Sequence, residues 1–365
     1  MKLQRSGYVA GIALTALISL TACGSDNNEA PGSAGANSAA NASCVAGDLQ
    51  AQGSTAQKNA MDEWIKTYQG QCSDAKINYN GTGSGAGIEA FISGTADFAG
   101  SDSALKEEEQ PKADAKCAGG PALNLPMVIG PIAVVYNVDG VDNLQLSPAT
   151  LAGIFAGKIT KWDDAAIKAD NSAATLPSTV IQTVHRSDES GTTDNFTKYL
   201  SKTAESVWTF GNAKAWKAPG GTGAAKSDGV ATQVKGTAGT ISYVELSFAE
   251  NSDLKKAKIK NGAGEFTELT GESAGKTIAG AKVEGTGNDL KLSIDYSTTE
   301  AGAYPIVLVT YEIVCSKGSP KAAAIKGFLN YTASTGGQAA LGELGYAPLP
   351  EAIRSKVETS VASIS

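Results

Sequence analysis

The chain has 365 residues, more than one average domain, so its length favours two lobes. Hydrophobic residues make up 42% and charged residues 18%, which is typical of a globular protein with a packed core, and 42 glycines predict many tight turns. The net charge of −7 argues against nucleic acid or anionic lipid as a partner. A bound anion would therefore be held by local hydrogen bonds and dipoles rather than by the overall field.

The first residues are predicted to direct export. Two basic residues precede an apolar run, residues 8–20, that is too short to span a membrane comfortably. The run ends in Leu20-Thr21-Ala22-Cys23, which resembles the lipobox of bacterial lipoproteins. We therefore expect residues 1–22 to be a lipoprotein signal peptide, with Cys23 acylated and the protein lipid-anchored on the extracytoplasmic face of the cell membrane. A plain secretory signal with a chance cysteine is the alternative. Residues 23–43 have the composition of a flexible tether.

The cysteine count predicts disulfides rather than a metal site. With Cys23 set aside, an even number of cysteines remains: Cys44, Cys72, Cys117 and Cys315. In an exported protein they predict two disulfides, and the count alone leaves three pairings open. Because the chain has one histidine and no C-x-x-C motif, we expect neither a metal site nor a cofactor.

Strands alternate with helices at the start of the folded region, with strands predicted at residues 48–51, 76–79 and 96–99. The helix after the first strand has its apolar residues on one face: Ala60, Met61, Trp64 and Tyr68. This pattern indicates a parallel sheet with helices on both faces, where ligands gather at the carboxyl ends of the strands. Those ends are glycine-rich polar turns: Gly53-Ser54-Thr55-Ala56, residues 81–87 and Gly100-Ser101-Asp102.

Two long apolar segments are predicted to connect the lobes. Residues 123–136 contain two β-rich runs around Gly130-Pro131. Residues 305–314 give the strongest strand signal in the chain, and we expect them to be the crossover by which the chain returns to the first lobe. Residues 261–302 are polar and weakly periodic, and no element is assigned to them. The other predicted elements are a solvated acidic segment at 106–109, a helix beginning at Ser147-Pro148, a loop at 158–164, a helix at 228–234, a strand at 239–244, and helices at 325–332 and 351–361.

The stretch from residue 180 to residue 200 turns from a predicted strand into a predicted helix. Its turn contains Arg186, Asp188, Ser190, Gly191 and Thr192. A helix start presents free backbone N–H groups and the positive end of the helix dipole, and the hydroxyl groups add further donors. With a guanidinium group beside them, these donors predict a site for a tetrahedral oxyanion. The alternative is an ordinary loop in which Arg186 pairs with Asp188 at the surface.

Two other kinds of site are less well supported. The glycine-rich turn at residues 81–87 lacks the Lys-Ser/Thr ending of a P-loop, and although it fits G-x-G-x-x-A, dinucleotides are scarce outside the cell. Nothing in the sequence places His185 beside a nucleophile, so a serine hydrolase is not supported.

Six segments occur together in an order that closely resembles the phosphate-binding proteins of bacterial phosphate ABC importers, over nearly all of the chain after Cys44. They are Gly53-Ser54-Thr55, Gly83-Ser84-Gly85-Ala86-Gly87, Gly100-Ser101-Asp102, Lys158-Ile159-Thr160-Lys161-Trp162-Asp163-Asp164, Arg186-Ser187-Asp188-x-Ser190-Gly191-Thr192 and Gly239-Thr240-Ile241-Ser242-Tyr243-Val244. The resemblance implies an α/β, two-lobed periplasmic-binding-protein fold of the type II (Venus-flytrap) class, each lobe a mixed, mostly parallel sheet flanked by helices. Lobe 1 would comprise residues 44–130 and 305–365 and lobe 2 residues 131–304, with hinges near Gly130 and Pro305.

The resemblance also implies an anion site between the lobes. It assigns hydroxyl or backbone donors to six positions: Thr55, Ala56, Ser84, Ser190, Gly191 and Thr192. Arg186, positioned by Asp188, would pair with the anion, and Asp102 would accept a proton from it. Many relatives have an aromatic residue where this chain has Ala56, a change that keeps the backbone donor but alters the packing of the pocket.

If the chain has the fold that this resemblance implies, we expect the disulfides Cys44–Cys72 and Cys117–Cys315. The first would join the start of the mature domain to the end of its first helix. The second would tie the segment that enters the hinge to the segment that leaves it.

These expectations describe a high-affinity solute-binding lipoprotein, not an enzyme, that captures inorganic phosphate and delivers it to the membrane permease of an ABC importer. An extracellular phosphatase or phosphoryl-transfer enzyme is the alternative from another class, but the sequence offers no metal ligands and no activated nucleophile for it. A binder of another oxyanion, such as sulfate, is the third hypothesis.

Overall fold

The computed structural model describes residues 44–365, so the predicted signal peptide, the acylation site at Cys23 and the tether lie outside the described residues. Among the helices described, none combines the length and the apolar character needed to cross a membrane. The strands are β1 (Gly47–Gly53), β2 (Ala75–Gly81), β3 (Phe98–Ser101), β4 (Ala122–Asn137), β5 (Gln145–Leu146), β6 (Gln182–Arg186), β7 (Thr222–Ala224), β8 (Thr240–Glu245), β9 (Lys255–Lys256), β10 (Lys258–Lys260), β11 (Phe266–Thr267), β12 (Lys282–Val283), β13 (Leu292–Ser293) and β14 (Val307–Cys315).

Helices flank these strands on both sides. They are α1 (Lys58–Gln71), α2 (Ser84–Ile92), α3 (Gln110–Lys116), α4 (Pro148–Phe155), α5 (Ala165–Asp170), α6 (Gly191–Thr203), α7 (Lys226–Gly236), α8 (Leu246–Asn251), α9 (Gly271–Ala279), α10 (Ala322–Ala333), α11 (Thr335–Ala339) and α12 (Glu351–Ala362), with a short 3-10 helix at Gly342–Leu344. The predicted apolar face of α1 is confirmed, because Ala60, Met61, Trp64 and Tyr68 are all buried.

One continuous path of paired strands links the two halves, in the order β2-β1-β3-β14-β4-β8-β6-β7. In one half β1 is parallel to β2 and β3, and in the other β6 is parallel to β7 and β8. The central strand β4 pairs antiparallel with β14 as far as Pro131 and with β8 from Ile132 onwards. Every residue of β14, and all but the last of β4, is buried, as expected for strands covered on both faces. This is the mixed, mostly parallel α/β architecture that the resemblance implies.

Three predicted segments differ from the structure in detail. Residues 123–136 form one unbroken strand, β4, rather than two runs. The strand predicted at 96–99 begins two residues later, as β3, because the Ala96 N–H donates to the carbonyl of Ala90 and so belongs to the end of the α2 turn. The unassigned region 261–302 contains α9 and short strands, and part of it packs back on β4, where the Leu290 N–H donates to the carbonyl of Asn124.

Two disulfides lie in the half of the fold that contains β1, β2 and β3. Cys44 is bonded to Cys72 at the end of α1, with a Cα–Cα distance of 5.2 Å. Cys117, at the end of α3, is bonded to Cys315, the last residue of β14, with a Cα–Cα distance of 5.3 Å. Of the three pairings compatible with the cysteine count, the structure therefore contains the one that was expected.

Candidate anion site

The predicted site residues come together where β1, β3 and β6 end. All are buried: Thr55, Ala56, Ser84, Asp102, Arg186, Ser190, Gly191 and Thr192. Two short chains of hydrogen bonds join them across the two halves. Ser84 Oγ donates to Asp102 Oδ2 (3.0 Å) and accepts from the Gly191 N–H (3.2 Å). Ser227 Oγ lies 2.8 Å from Thr55 Oγ1 and accepts from Arg186 Nη1 (3.3 Å).

Asp102 is the carboxylate at the centre of the site. Three hydroxyl groups donate to it: Ser54 Oγ to Oδ1 (2.5 Å), Thr310 Oγ1 to Oδ1 (2.8 Å) and Ser84 Oγ to Oδ2. Burial raises the pKa of Asp102 to about 6; the charge of Glu245 acts in the same direction, and the three hydroxyl groups act against it. At neutral pH the group is therefore mostly ionised, and it can accept a further hydrogen bond from a ligand that carries a proton.

Arg186 supplies the positive charge, and Asp188 fixes its orientation. Arg186 Nε donates to Asp188 Oδ1 (2.8 Å) and Nη2 to Oδ2 (2.5 Å), a bidentate arrangement. Burial acts to lower the pKa of Arg186, but the hydrogen bond and charge of Asp188 outweigh it and raise the pKa. Since the Arg186 side chain is only 3% exposed, the alternative prediction of an ordinary surface pair is wrong. Arg186 Nη1 donates to Ser227 Oγ (3.3 Å), which lies within the site.

The start of α6 contributes backbone donors. Ser190 caps the helix, its Oγ accepting from the Thr193 N–H (3.3 Å). The first-turn N–H groups of Gly191 and Thr192 have no partner within the helix, as in any α-helix, and the positive end of the helix dipole lies with them. The hydroxyl of Thr192 donates to Glu245, so its hydrogen is already engaged by a buried carboxylate. A side chain at Gly191 would place a Cβ 2.5 Å from Asp102 Cβ, so the close approach of the two halves requires glycine here.

The position of Ala56 differs from the family pattern, and the structure shows what packs there. The Ala56 N–H donates to Ser54 Oγ (3.0 Å), and the Ala56 carbonyl accepts from Tyr346 Oη (2.6 Å). Tyr346 is buried beside the site. A tyrosine from another part of the chain therefore contacts the backbone at this position.

Four buried polar residues at the site were not among the predicted site residues, and one of them, Ser54, donates to Asp102. Ser227 joins Thr55 to Arg186, Thr310 holds Asp102, and Glu245 accepts from Thr192. A signal was present for Ser227, which lies in the first turn of a helix that follows a glycine-rich loop. Thr310 and Glu245 are single polar residues at strand positions, and only the strand pairing brings them to the site.

Further contacts close the two halves around the site. Ser103 Oγ donates to Asp194 Oδ2 (2.6 Å), and the Gly85 N–H donates to the carbonyl of Glu189 (3.2 Å). Lys214, although buried, forms an ion pair with Glu109 (2.6 Å). The acidic segment that ends at Glu109 is therefore not only a solvated surface, as predicted, but also part of the contact between the halves. Across residues 44–365, no group of three or more His, Cys, Asp or Glu side chains is arranged to hold a metal ion.

Comparison with known proteins gives consistent matches. A family model described as a PBP superfamily domain matches residues 38–335. Phosphate-binding protein PstS 3 of Mycobacterium tuberculosis is 44% identical over 372 aligned positions, covering 100% of both chains. Phosphate-binding protein PstS of Xylella fastidiosa is 36% identical over 308 positions, covering 83% of this chain and 82% of the relative. Among solved structures, a high-affinity periplasmic phosphate-binding protein (PfluDING) bound with phosphate has a TM-score of 0.69 at 22% identity, over 86% of this chain and 93% of that one, a likeness of fold alone.

Proposed function

The chain belongs to the periplasmic-binding-protein superfamily and, within it, to the phosphate-binding proteins of bacterial phosphate ABC importers, and we propose that it binds phosphate at the site around Asp102 and Arg186. It has the two-lobed α/β fold of that superfamily and binds inorganic phosphate for delivery to the importer's permease. Its relatives are transport proteins, and we propose no catalytic step for it.

The proposed ligand contacts come from both halves of the site. From lobe 1, Thr55 provides its hydroxyl and N–H, Ala56 its N–H and Ser84 its hydroxyl and N–H. From lobe 2, Arg186, oriented by Asp188, pairs with the phosphate oxygens. The start of α6 adds donors from Ser190, Gly191 and Thr192. Because a hydrogen bond to a charged group contributes ~1.5–3 kcal/mol, several of them on one buried anion are sufficient for high affinity despite the acidic net charge.

The observation that carries this proposal is the buried carboxylate of Asp102 among donors that suit an anion. A carboxylate repels a fully ionised anion, but it accepts a hydrogen bond from one that keeps a proton. Phosphate near neutral pH keeps at least one P–O–H group, whereas sulfate has none. The site is therefore suited to phosphate rather than to sulfate, the other oxyanion considered above.

Two experiments, a calorimetric titration and a turnover assay, test the proposal. Calorimetry with phosphate and with sulfate should give stoichiometric binding of phosphate and little binding of sulfate. Incubation with a phosphate monoester should give no turnover, and release of phosphate by the purified chain would support the phosphatase hypothesis instead.

We propose the predicted lobes, residues 44–130 with 305–365 and residues 131–304, as the two bodies that close on phosphate. Support comes from β4, which changes its pairing partner between Pro131 and Ile132, next to the proposed hinge at Gly130. The second hinge, near Pro305, lies just before β14. Part of the second range contacts the first lobe, since Asp289 accepts from the N–H of Asn124 (2.8 Å). Bending at the two crossovers would open the site.

We also propose that the protein is lipid-anchored outside the cell membrane. The support is the sequence of residues 1–22, which ends in a motif like a lipobox, and the tether at residues 23–43. Metabolic labelling with a palmitate analogue should mark the parent chain and not a Cys23→Ser variant. Equal labelling of both chains would contradict acylation at Cys23.

A further inference from the structure

A second acidic side chain, Glu312, lies behind Asp102 and has no part in the proposed ligand contacts. It is on β14, two residues after Thr310, so the two side chains extend from the same face of the strand. Thr310 donates to Asp102, and Glu312 stands opposite Gly100, two residues before Asp102. Glu312 is 0% exposed. A buried carboxyl group is thus packed behind the centre of the anion site.

The carboxyl group of Glu312 is buried without a hydrogen-bond donor from the described residues. Among the described residues, none donates to either of its oxygens or to Oε1 of Gln57, the side chain beside it. The orientation of Gln57 is fixed, because its Nε2 donates to Tyr79 Oη (3.1 Å), whose own hydrogen goes to the carbonyl of Ser54 (2.8 Å). A proton on Glu312 avoids the cost of burying an unpaired negative charge there.

The surroundings of Glu312 favour the same state. Burial raises the pKa of Glu312 to about 8; the nearby Gln57 amide acts to lower it, and the charge of Asp102 raises it further. The titratable groups that face it from neighbouring elements are Asp102, after β3, and Tyr79, on β2. Neither carries a positive charge that would stabilise an ionised Glu312.

We propose that Glu312 is a proton-binding site coupled to the anion site: it is neutral when phosphate is bound, and its ionisation weakens phosphate binding. This inference rests on the proposed role of Asp102. An anion bound at Asp102 adds negative charge close to Glu312, so the protonated form of Glu312 binds phosphate more tightly than the ionised form. By linkage, phosphate binding must take up a proton at any pH where Glu312 of the free protein is ionised.

Calorimetric titration of the chain with inorganic phosphate, in buffers of different ionisation enthalpy, measures affinity and proton uptake together. The parent Kd should rise about tenfold between about pH 7 and pH 9, with proton uptake approaching one, as a group with a pKa of about 8 ionises. Glu312→Gln should lose this rise and this uptake, because its amide has the size of the carboxyl group but cannot ionise. Glu343→Gln, at an exposed position with the same change in net charge, should keep the parent profile.

The outcomes separate this inference from the proposed function. Equal proton uptake by the parent and Glu312→Gln at about pH 9 would overturn the coupling and leave the anion site unaffected. Failure of the parent to bind phosphate at neutral pH would contradict the proposed function itself. If Glu312→Gln does not fold, Glu312→Met, which is apolar and of similar size, provides the same comparison.

Discussion

Replacing Asp102 by asparagine tests which anion the site selects. In the parent, a sulfate oxygen facing Asp102 forfeits one charge-assisted hydrogen bond, ~1.5–3 kcal/mol. It also brings about half a unit charge to about 4 Å from the carboxylate, which costs roughly 2 kcal/mol at an effective dielectric constant of about 20. Together these terms amount to about 3.5–5 kcal/mol. Phosphate should therefore bind the parent roughly a thousandfold more tightly than sulfate.

In Asp102→Asn the amide can donate to a bare oxygen of either anion. Phosphate binding should weaken by roughly tenfold, because a charged acceptor becomes a neutral one, and sulfate binding should strengthen until the two affinities differ by about tenfold or less. Calorimetry with both anions at about pH 7.5 measures the ratio. Asp97→Asn is the matched control, because Asp97 pairs with Lys321 (2.9 Å) away from the site and its loss should leave the ratio unchanged.

The pH dependence gives an independent check on the same residue. Since the pKa of Asp102 is raised to about 6, lowering the pH through about 6 protonates the carboxyl group and turns it into a donor. Sulfate binding by the parent should therefore strengthen below about pH 6, and that by Asp102→Asn should not. A parent chain that binds sulfate nearly as well as phosphate at neutral pH would refute the role given to Asp102.

Three other changes test the rest of the site and the framework. Arg186→Lys loses the bidentate pair with Asp188, so phosphate titration of the variant, which should keep its fold, should show a loss of about tenfold to a hundredfold. An unaltered Kd would remove Arg186 from the ligand set. Gly191→Ala puts a Cβ against Asp102 and should weaken phosphate binding, whereas Gly275→Ala, with open space around it, should not; equal affinities would contradict the close approach. Replacing Cys117 and Cys315 by serine should lower the free energy of unfolding by about 2–4 kcal/mol in denaturant titrations. Peptide mapping of the parent that finds Cys44 bonded to Cys117 or to Cys315 would contradict the Cys117–Cys315 disulfide.

The sequence was sufficient to predict the parts of the site that lie in turns. Ser84, Asp102 and Ser190 each follow a strand and start or precede a helix, and in a parallel sheet such turns meet at one edge. Their positions in the strand-to-helix turns are therefore sufficient to predict that these residues lie close together in the structure. The same holds for the Arg186–Asp188 pair, whose partners are two residues apart.

The remaining site residues depend on long-range pairing that the sequence does not display. Thr310 lies inside the apolar run of β14 and reaches Asp102 only because Tyr311 pairs with Ser101 of β3. Ser227 meets Thr55 across a separation of 172 residues. Local periodicity cannot report such contacts, because the same pattern fits a strand at any place in the sheet.

The charges behind and around the site account for how an acidic protein selects an anion. Asp188 is balanced by Arg186, whereas Asp102 and Glu245 are held mainly by hydroxyl groups. In the proposed site an entering anion must bring a proton for Asp102 or be repelled, and we expect this requirement to separate phosphate from sulfate. A further ionised carboxylate would repel phosphate as well. Because Glu312 is buried without donors, it is neutral below about pH 8, so at neutral pH the charge that selects the anion is that of Asp102.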